Sequence, residues 1–222
     1  MKIAIIGLGF VGLSLTSVLA SKGYNIVGID IDREKCDKIS NGISPFFEPK
    51  LEKVLKNGLK KKLKISNKYS LINNCDFIFV TVGTPQNVNG SINLSIIKKA
   101  ISTIGENLQK SKKKPIIFIK STIIPGTIKK VILPILEKKS NKKEGKDFGL
   151  ISNPEFLQES SAIIDTKFPH VVVLGGNQTE FMKKAKKLFT KLHPNVPIIN
   201  TNHQTAEMIK YANNSFLATK IS

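Results

Sequence analysis

The chain has no tryptophan, a single arginine (Arg33), two cysteines and three histidines in 222 residues. Each scarcity removes a class of function. Cys36 and Cys75 show no metal-ligand or redox spacing and supply no disulfide framework, so reduced, incidental thiols are expected and no metal is assigned. No run of about 18 uncharged apolar residues occurs. The N-terminus enters an apolar strand directly, without a basic segment and a small-residue cleavage site, so a cytoplasmic protein with no membrane partner is expected. Acidic residues are also few, 16 against 35 basic, for a formal charge of +19. Such an excess invites a nucleic-acid partner, because a basic face releases counterions when it neutralises phosphates. Its make-up argues against one. The charge is lysine spread over many helices and loops, aromatics are 7%, and arginine, which clamps phosphates and reads bases, is almost absent. Heavy use of Lys, Ile and Asn together reads as codon bias.

What is present is 41% apolar content, ordinary for a globular domain, and one dense local pattern near the start. Ile3-Ala4-Ile5-Ile6 is too short for a helix and rich in β-branched residues, which makes it a buried strand. Gly7-Leu8-Gly9-Phe10-Val11-Gly12 follows at once. In this G-x-G-x-x-G order Gly7 serves a tight turn, Gly9 admits a pyrophosphate to the backbone and Gly12 allows close helix–strand packing. Leu13, Leu15, Val18 and Leu19 give the next helix its apolar face, and its N-terminus would turn free N–H groups toward a phosphate. Ile26-Val27-Gly28-Ile29 is a second strand, with Asp30 at its end. That carboxylate lies 18 residues beyond Gly12, where a dinucleotide fold binds the adenosine ribose hydroxyls. NAD is favoured over NADP, although Arg33 and Lys35 lie close by.

The remainder alternates in the same way. Asp32 caps a helix to about Ser40, residues 42–49 form a loop held open by two prolines, and a helix over about 50–57 is expected to end at Gly58. A short strand over 63–65 and a stronger one over 76–82 follow, the latter leading to Thr84 at a carboxyl end, the edge where open α/β sheets bind ligands. Further expectations are a helix over 93–109, a strand over 115–119 leading to Lys120-Ser121-Thr122, a helix from Pro125-Gly126 to about 138, and a strand over 148–151. Glu155 and Glu159, four apart, either share one helical face or are acids at a helix N-terminus. A strand over 170–174, a lysine-rich helix over 180–192 and a strand over 196–199 complete a doubly wound, mostly parallel α/β sheet of Rossmann type. From about Thr205 a helix carries apolar residues on more than one side, as if buried between two bodies. It has no C-terminal cap. The expected organisation is a domain over 1–200 and, over 201–222, the start of a long connecting helix within which the chain is cut.

Six ordered motifs together resemble the UDP-glucose/GDP-mannose dehydrogenase family: Gly7 to Leu13, Ser44-Pro45-Phe46-Phe47-Glu48-Pro49, Val82-Gly83-Thr84-Pro85, Lys120-Ser121-Thr122, residues 153–160 and residues 207–222. The wording of the last two is closer to the family's UDP-glucose branch. The resemblance implies NAD-dependent oxidation of the C6 hydroxyl of a nucleotide sugar, UDP-glucose in that branch, to the uronic acid. The route runs through an aldehyde and a cysteine-bound thioester, in a full-length protein that is a homodimer. By position it makes Glu155 the general base of thioester hydrolysis and Thr122 the hydroxyl that positions water and cofactor. Lys210 and Asn214, at i and i+4 on one helical face, become the stabilisers of the oxyanion. On the residues alone, Lys210 is equally well a solvated helix lysine. The resemblance places Glu155, Phe156, Leu157, Gln158 and Glu159 along the sugar and nicotinamide site, with Gln158 where many members carry arginine. Phe10, Val11, Asp30, Lys35, Thr84, Thr122 and Glu159 join the three glycines as cofactor contacts. The family's nucleophilic cysteine has no counterpart here, and the chain is expected to hold NAD without completing the oxidation. Two alternatives remain: a β-hydroxyacid dehydrogenase, which also pairs a dinucleotide fold with a Lys-x-x-x-Asn helix, and a non-catalytic NAD-binding module.

Overall fold

The computed structural model describes residues 1–221; Ser222, the last residue of the expected connecting segment, lies outside them. The short apolar runs form strands because both of their faces are covered. In β1 (Lys2–Ile6), Ile3 and Ile5 join the core on one side of the sheet while Ala4 and Ile6 join the core on the other, all fully buried. Alternation vanishes from the sequence when helices cover both faces of a parallel sheet.

The other strands are β2 (Asn25–Ile29), β3 (Leu63–Ser66), β4 (Phe77–Val80), β5 (Ile116–Ile119), β6 (Gly149–Ser152), β7 (Val172–Gly175) and β8 (Ile198–Thr201). They lie in the order β3-β2-β1-β4-β5-β6-β7-β8, and the neighbours are parallel except β6 and β7. The order reverses between β1 and β4, and the crevice at such a reversal is where open α/β sheets take their ligands. The β6–β7 junction rests on one residue pair, Ser152 with Gly175.

The helices are α1 (Phe10–Ser21), α2 (Arg33–Ser40), α3 (Leu51–Leu59), α4 (Ser95–Gln109), α5 (Leu133–Ser140), α6 (Ala162–Lys167), α7 (Glu180–Leu192) and α8 (His203–Ile221). Apolar residues of α1, α3 and α7 fill the core with Ile3 and Ile5; those of α4 and α5 fill the core with Ala4 and Ile6. Asp32 caps α2 as expected, its side chain accepting the Lys35 N–H at 3.0 Å.

Four elements depart from expectation for identifiable reasons. Gly58 does not end its helix but lies inside α3, where an added Cβ would come within 2.8 Å of Ala20 Cβ; it is there so that α1 and α3 can approach. The helix after Pro125-Gly126 opens as a wide π-helical turn over Ile128–Ile132 before α5. Pro134, which has no N–H to give, sits in its first turn. Residues 153–160 are not helical, so Glu155 and Glu159 share no helical face; Ser160 takes a left-handed conformation (φ 68°) and α6 starts only at Ala162. In α8 only Ala206, Glu207 and Lys210 are buried, while Met208, Phe216, Leu217 and Ile221 are exposed. Its first two turns alone rest on the domain.

Candidate functional site

The glycine turn performs three separate tasks. Gly7 holds φ 91°, beyond the reach of most L-residues, and its N–H donates to Ile29 O at 2.8 Å, tying the turn to β2. Gly12 is sealed in: a Cβ there would overlap the Gly7 carbonyl oxygen and approach Thr81 Oγ1 to 2.5 Å. Around Gly9 nothing lies within 4 Å of where a Cβ would stand. Helix α1 begins there with no side-chain cap and no acid in its first turn, so its leading N–H groups and positive dipole end are left for an anion. Asp30 is buried and highly organised. Its Oδ2 accepts the Leu8 N–H at 2.8 Å and the Lys35 ammonium at 3.1 Å, and its Oδ1 accepts the Asp32 N–H at 3.0 Å. A carboxylate offers about four lone-pair positions, so capacity remains for a ribose hydroxyl.

These groups line an open cleft of about 600 Å³ that runs from the glycine turn past Asp30 to α4. Of the expected cofactor contacts, Gly7, Gly9, Asp30 and Lys35 line it. Phe10, Val11 and Gly12 do not: the Phe10 ring packs 5.8 Å from that of Phe46, Val11 faces an interior cavity, and Gly12 is packing. Thr84 and Thr122 belong to adjacent loops stitched together, Thr84 Oγ1 donating to Thr122 O at 2.7 Å and Ser121 Oγ donating to Val82 O at 2.7 Å. The cleft also uses residues that no motif announces. Ser95, Lys99 and Thr103 form its far wall, a polar stripe repeating every four residues along α4 that was readable in the sequence. Tyr69 adds a phenol that burial, helped by the charge on Asp30, pushes up to about 12, so that it stays neutral.

At the carboxyl edge beyond β5 and β6 lies a second assembly. Lys210 of α8 is buried and pairs with Glu155 at 2.9 Å, and its ammonium stands 5.5 Å from the centre of the Phe156 ring. The other Glu155 oxygen accepts the Leu157 N–H at 2.6 Å, which folds the loop around its own carboxylate. Gln158, Glu159 and Asn214 are exposed and do not join the pair. Asn214 is on α8 one turn beyond Lys210, as the spacing requires. Helix α8 is locked in place by a residue that sequence reasoning passed over. Glu207, 2% exposed, accepts the N–H groups of Gly126 and Ile128, the latter at 2.8 Å, and so clamps the segment after Thr122; burial raises its carboxyl above the usual value. Both cysteines are buried, Cys36 in α2 with its thiol on the Asp30 carbonyl oxygen at 3.5 Å and Cys75 just before the amino end of β4.

Behind the 153–157 loop an interior cavity of about 70 Å³ is walled by Val11, Leu15, Phe79 and Phe189 and reached by Lys120 and His193. The His193 Nδ1 is buried with no protein partner, and burial, with Lys22 adding to it, pushes the imidazole from 6.5 down to about 4. A base with a lowered folded value favours the fold in its neutral form. That contribution is complete above pH 6.5 and is lost as pH falls through about 4. Relative to His193→Phe, which keeps the stacking on Phe189, the native chain is therefore expected to lose stability between those values. Urea unfolding of both proteins at pH 7 and pH 4.5 checks this; parallel pH profiles would contradict it.

Residues 1–193 match the model of the UDP-glucose/GDP-mannose dehydrogenase family, NAD binding domain. The chain belongs to this family. Its relatives in the family include the GDP-mannose 6-dehydrogenase of Pseudomonas syringae pv. tomato, 40% identical over 226 residues, covering 100% of this chain and 51% of the relative. They also include the UDP-glucose 6-dehydrogenase AglM of Haloferax volcanii, 35% identical over 225 residues and covering 100% and 52%. Among solved structures, a ternary complex of the GDP-mannose dehydrogenase of Pseudomonas aeruginosa superposes with a TM-score of 0.94 at 36% identity, over 100% of this chain and 51% of that one. The chain spans about half the length of the curated relatives it matches. The matched family model is that of an NAD binding domain, and the open backbone at Gly9 and the capacity left on Asp30 fit that cofactor. Among the described residues no helix is long and apolar enough to cross a membrane.

Proposed function

We propose that this chain is the cofactor half of a nucleotide-sugar 6-dehydrogenase. Residues 1–200 form the NAD-binding unit and α8 opens the helix that leads to the substrate half. The observation that carries this reading is the buried Lys210–Glu155 pair at 2.9 Å, built at the sheet edge by the first turns of α8. NAD, when bound, supplies the hydride acceptor. Lys210 is the fixed positive charge for the oxyanion that develops at C6 of the sugar, with Asn214 adding an amide from the next turn. Glu155 is the base that takes a proton from water in the hydrolytic step, once substrate has separated it from Lys210. Thr122, in the loop clamped by Glu207, positions water and cofactor, and the backbone of residues 155–159 lines the sugar. Neither buried cysteine reaches this place, so the nucleophile comes from outside these 222 residues and the chain alone does not complete the oxidation.

The motif wording supports UDP-glucose as substrate, while 40% identity to a GDP-mannose enzyme against 35% to a UDP-glucose enzyme favours GDP-mannose. The exposed apolar residues of α8 support a homodimer of the whole protein, and two buried free thiols suit a cytoplasmic setting. Calorimetric titration of the chain with NAD tests the reading. Asp30→Ala is expected to weaken binding roughly tenfold or more, the worth of hydrogen bonds to a charged group at about 1.5–3 kcal/mol. Asp30→Asn, which keeps an acceptor for the Leu8 N–H, separates loss of the ribose contact from loss of the turn. Absence of NAD binding by the native chain would overturn the proposal, and titration with UDP-glucose and GDP-mannose in turn is expected to show little binding of either.

A further inference from the structure

Lys120 follows β5 at the carboxyl edge; the residue is half-buried, with its ammonium turned inward to the cavity behind the 153–157 loop. It donates to Asn153 twice, to Oδ1 at 3.1 Å and to the carbonyl oxygen at 3.3 Å. Asn153 is itself fully committed: its N–H donates to Ile119 O at 2.8 Å and its side-chain amide to Val173 O at 2.9 Å. The corner thus held passes through Pro154 directly into Glu155. No carboxylate lies within ion-pair distance of Lys120 among the described residues, although an ammonium in an interior costs much free energy unless something answers its charge. A neutral donor could have satisfied Asn153 without that cost. The charged groups around the ammonium come from several elements: Glu155 from the loop, Lys210 from α8, Asp165 from α6, and His193 after α7. Asp165 is occupied by Ser161 Oγ and the Gln158 N–H, and His193 is neutral above its lowered value. That leaves Glu155 and Lys210 as the charges Lys120 faces.

We infer that Lys120 is a positioning residue for the Glu155–Lys210 pair: it pins the Asn153 corner that delivers Glu155 and acts on the Glu155 carboxylate as a second positive charge. The inference rests on reading Glu155 and Lys210 as the reaction-end pair. Burial drives the Lys120 ammonium from 10.5 down to about 8, with Glu155 opposing the change and Lys210 adding to it. Lys120 therefore discharges where an ordinary lysine would not. A base with a lowered folded value burdens the fold while charged, so that burden lifts as pH rises from about 8 toward 10.5. Over the same interval Glu155 loses one of its two cations.

The test is carbon-13 NMR of the whole chain, labelled in lysine side chains and glutamate carboxyls, titrated from about pH 3 to pH 11, a span covering the reference carboxyl and ammonium values. Glu155→Gln and Lys120→Met assign the two signals. A step in the Glu155 carboxyl signal at the midpoint of Lys120, absent in Lys120→Met, is the expected result. In that variant the Glu155 carboxyl signal should stay constant through the same interval, whereas simple loosening of the corner would leave the step in place. Lys120→Arg, whose guanidinium stays charged over the whole span, should likewise show no step in the Glu155 signal between about pH 8 and pH 10.5. A Glu155 signal that stays flat through the Lys120 titration overturns the inference, and needs no variant to fold. NAD affinity measured on the same samples keeps the readings apart. A flat Glu155 signal with NAD bound sinks the role of Lys120 alone, whereas a coupled step without NAD binding sinks the functional reading.

Discussion

Gly12→Ala is expected to cost about 3 kcal/mol or more, because the new methyl group meets backbone that cannot move aside. It would overlap the Gly7 carbonyl oxygen, which is fixed by the Thr81 hydroxyl at 2.8 Å and by the turn itself. The strand and the helix would have to part, carrying the cofactor cleft with them. For a domain of this size that loss corresponds to roughly 10 °C in the unfolding midpoint. Gly9→Ala is the informative partner. Its backbone (φ −78°, ψ −163°) suits alanine and its surroundings are open, so stability should change by less than about 1 kcal/mol while NAD affinity falls. Urea unfolding and NAD titration of the two variants decide the matter. If Gly12→Ala were as stable as the native chain, the packing assigned to the third glycine would be wrong.

The second large effect belongs to Glu155. Glu155→Leu leaves the ammonium of Lys210 buried without its anion, and should destabilise the chain by about 3 kcal/mol, as breaking one side of a buried pair does. The double variant Glu155→Leu/Lys210→Met should recover most of that loss, since removing both charges removes the unmet one. A double variant whose cost is the sum of the two single costs would mean that the pair contributes nothing as a pair.

The first half of the cofactor site was readable because it is local. A strand, a glycine turn, a helix and a second strand with an acid at its end occupy about 30 residues, and each step is dictated by neighbours in the chain. Gly58 shows where local rules stop: glycine near the end of an apolar pattern reads as a terminator, yet contact with Ala20, far away in sequence, makes it an interior residue. Glu155 and Glu159 were open to a helical reading by their spacing, and the left-handed Ser160 and late start of α6 remove it. The pairing of Glu155 with Lys210 was legible only through family wording. Lys120, Asn153 and Glu207 act across gaps of tens of residues, with no periodicity to mark them. The polar stripe of α4 carried a signal at helical spacing that faces a ligand cleft rather than water.

The β6–β7 junction has a consequence for how the domain opens. The strands from β3 through β6 in sheet order form a ladder of parallel pairs, whereas the ladder continues to β7 and β8 through one pair, Ser152 with Gly175. With so little ladder across this line, the β7–β8 ribbon is expected to open below the free energy of global unfolding. The Asn153 amide reaching Val173 and the His203 imidazole, 2.9 Å from Leu150 O, are the rivets across the line. Helix α8 crosses the line as well, packing on both β7 and β6 and accepting through Glu207 the N–H groups of Gly126 and Ile128. Amides of β7 and β8 should therefore exchange with deuterium sooner than those of β1 and β4, the outer ribbon of the sheet breathing while its centre stays closed.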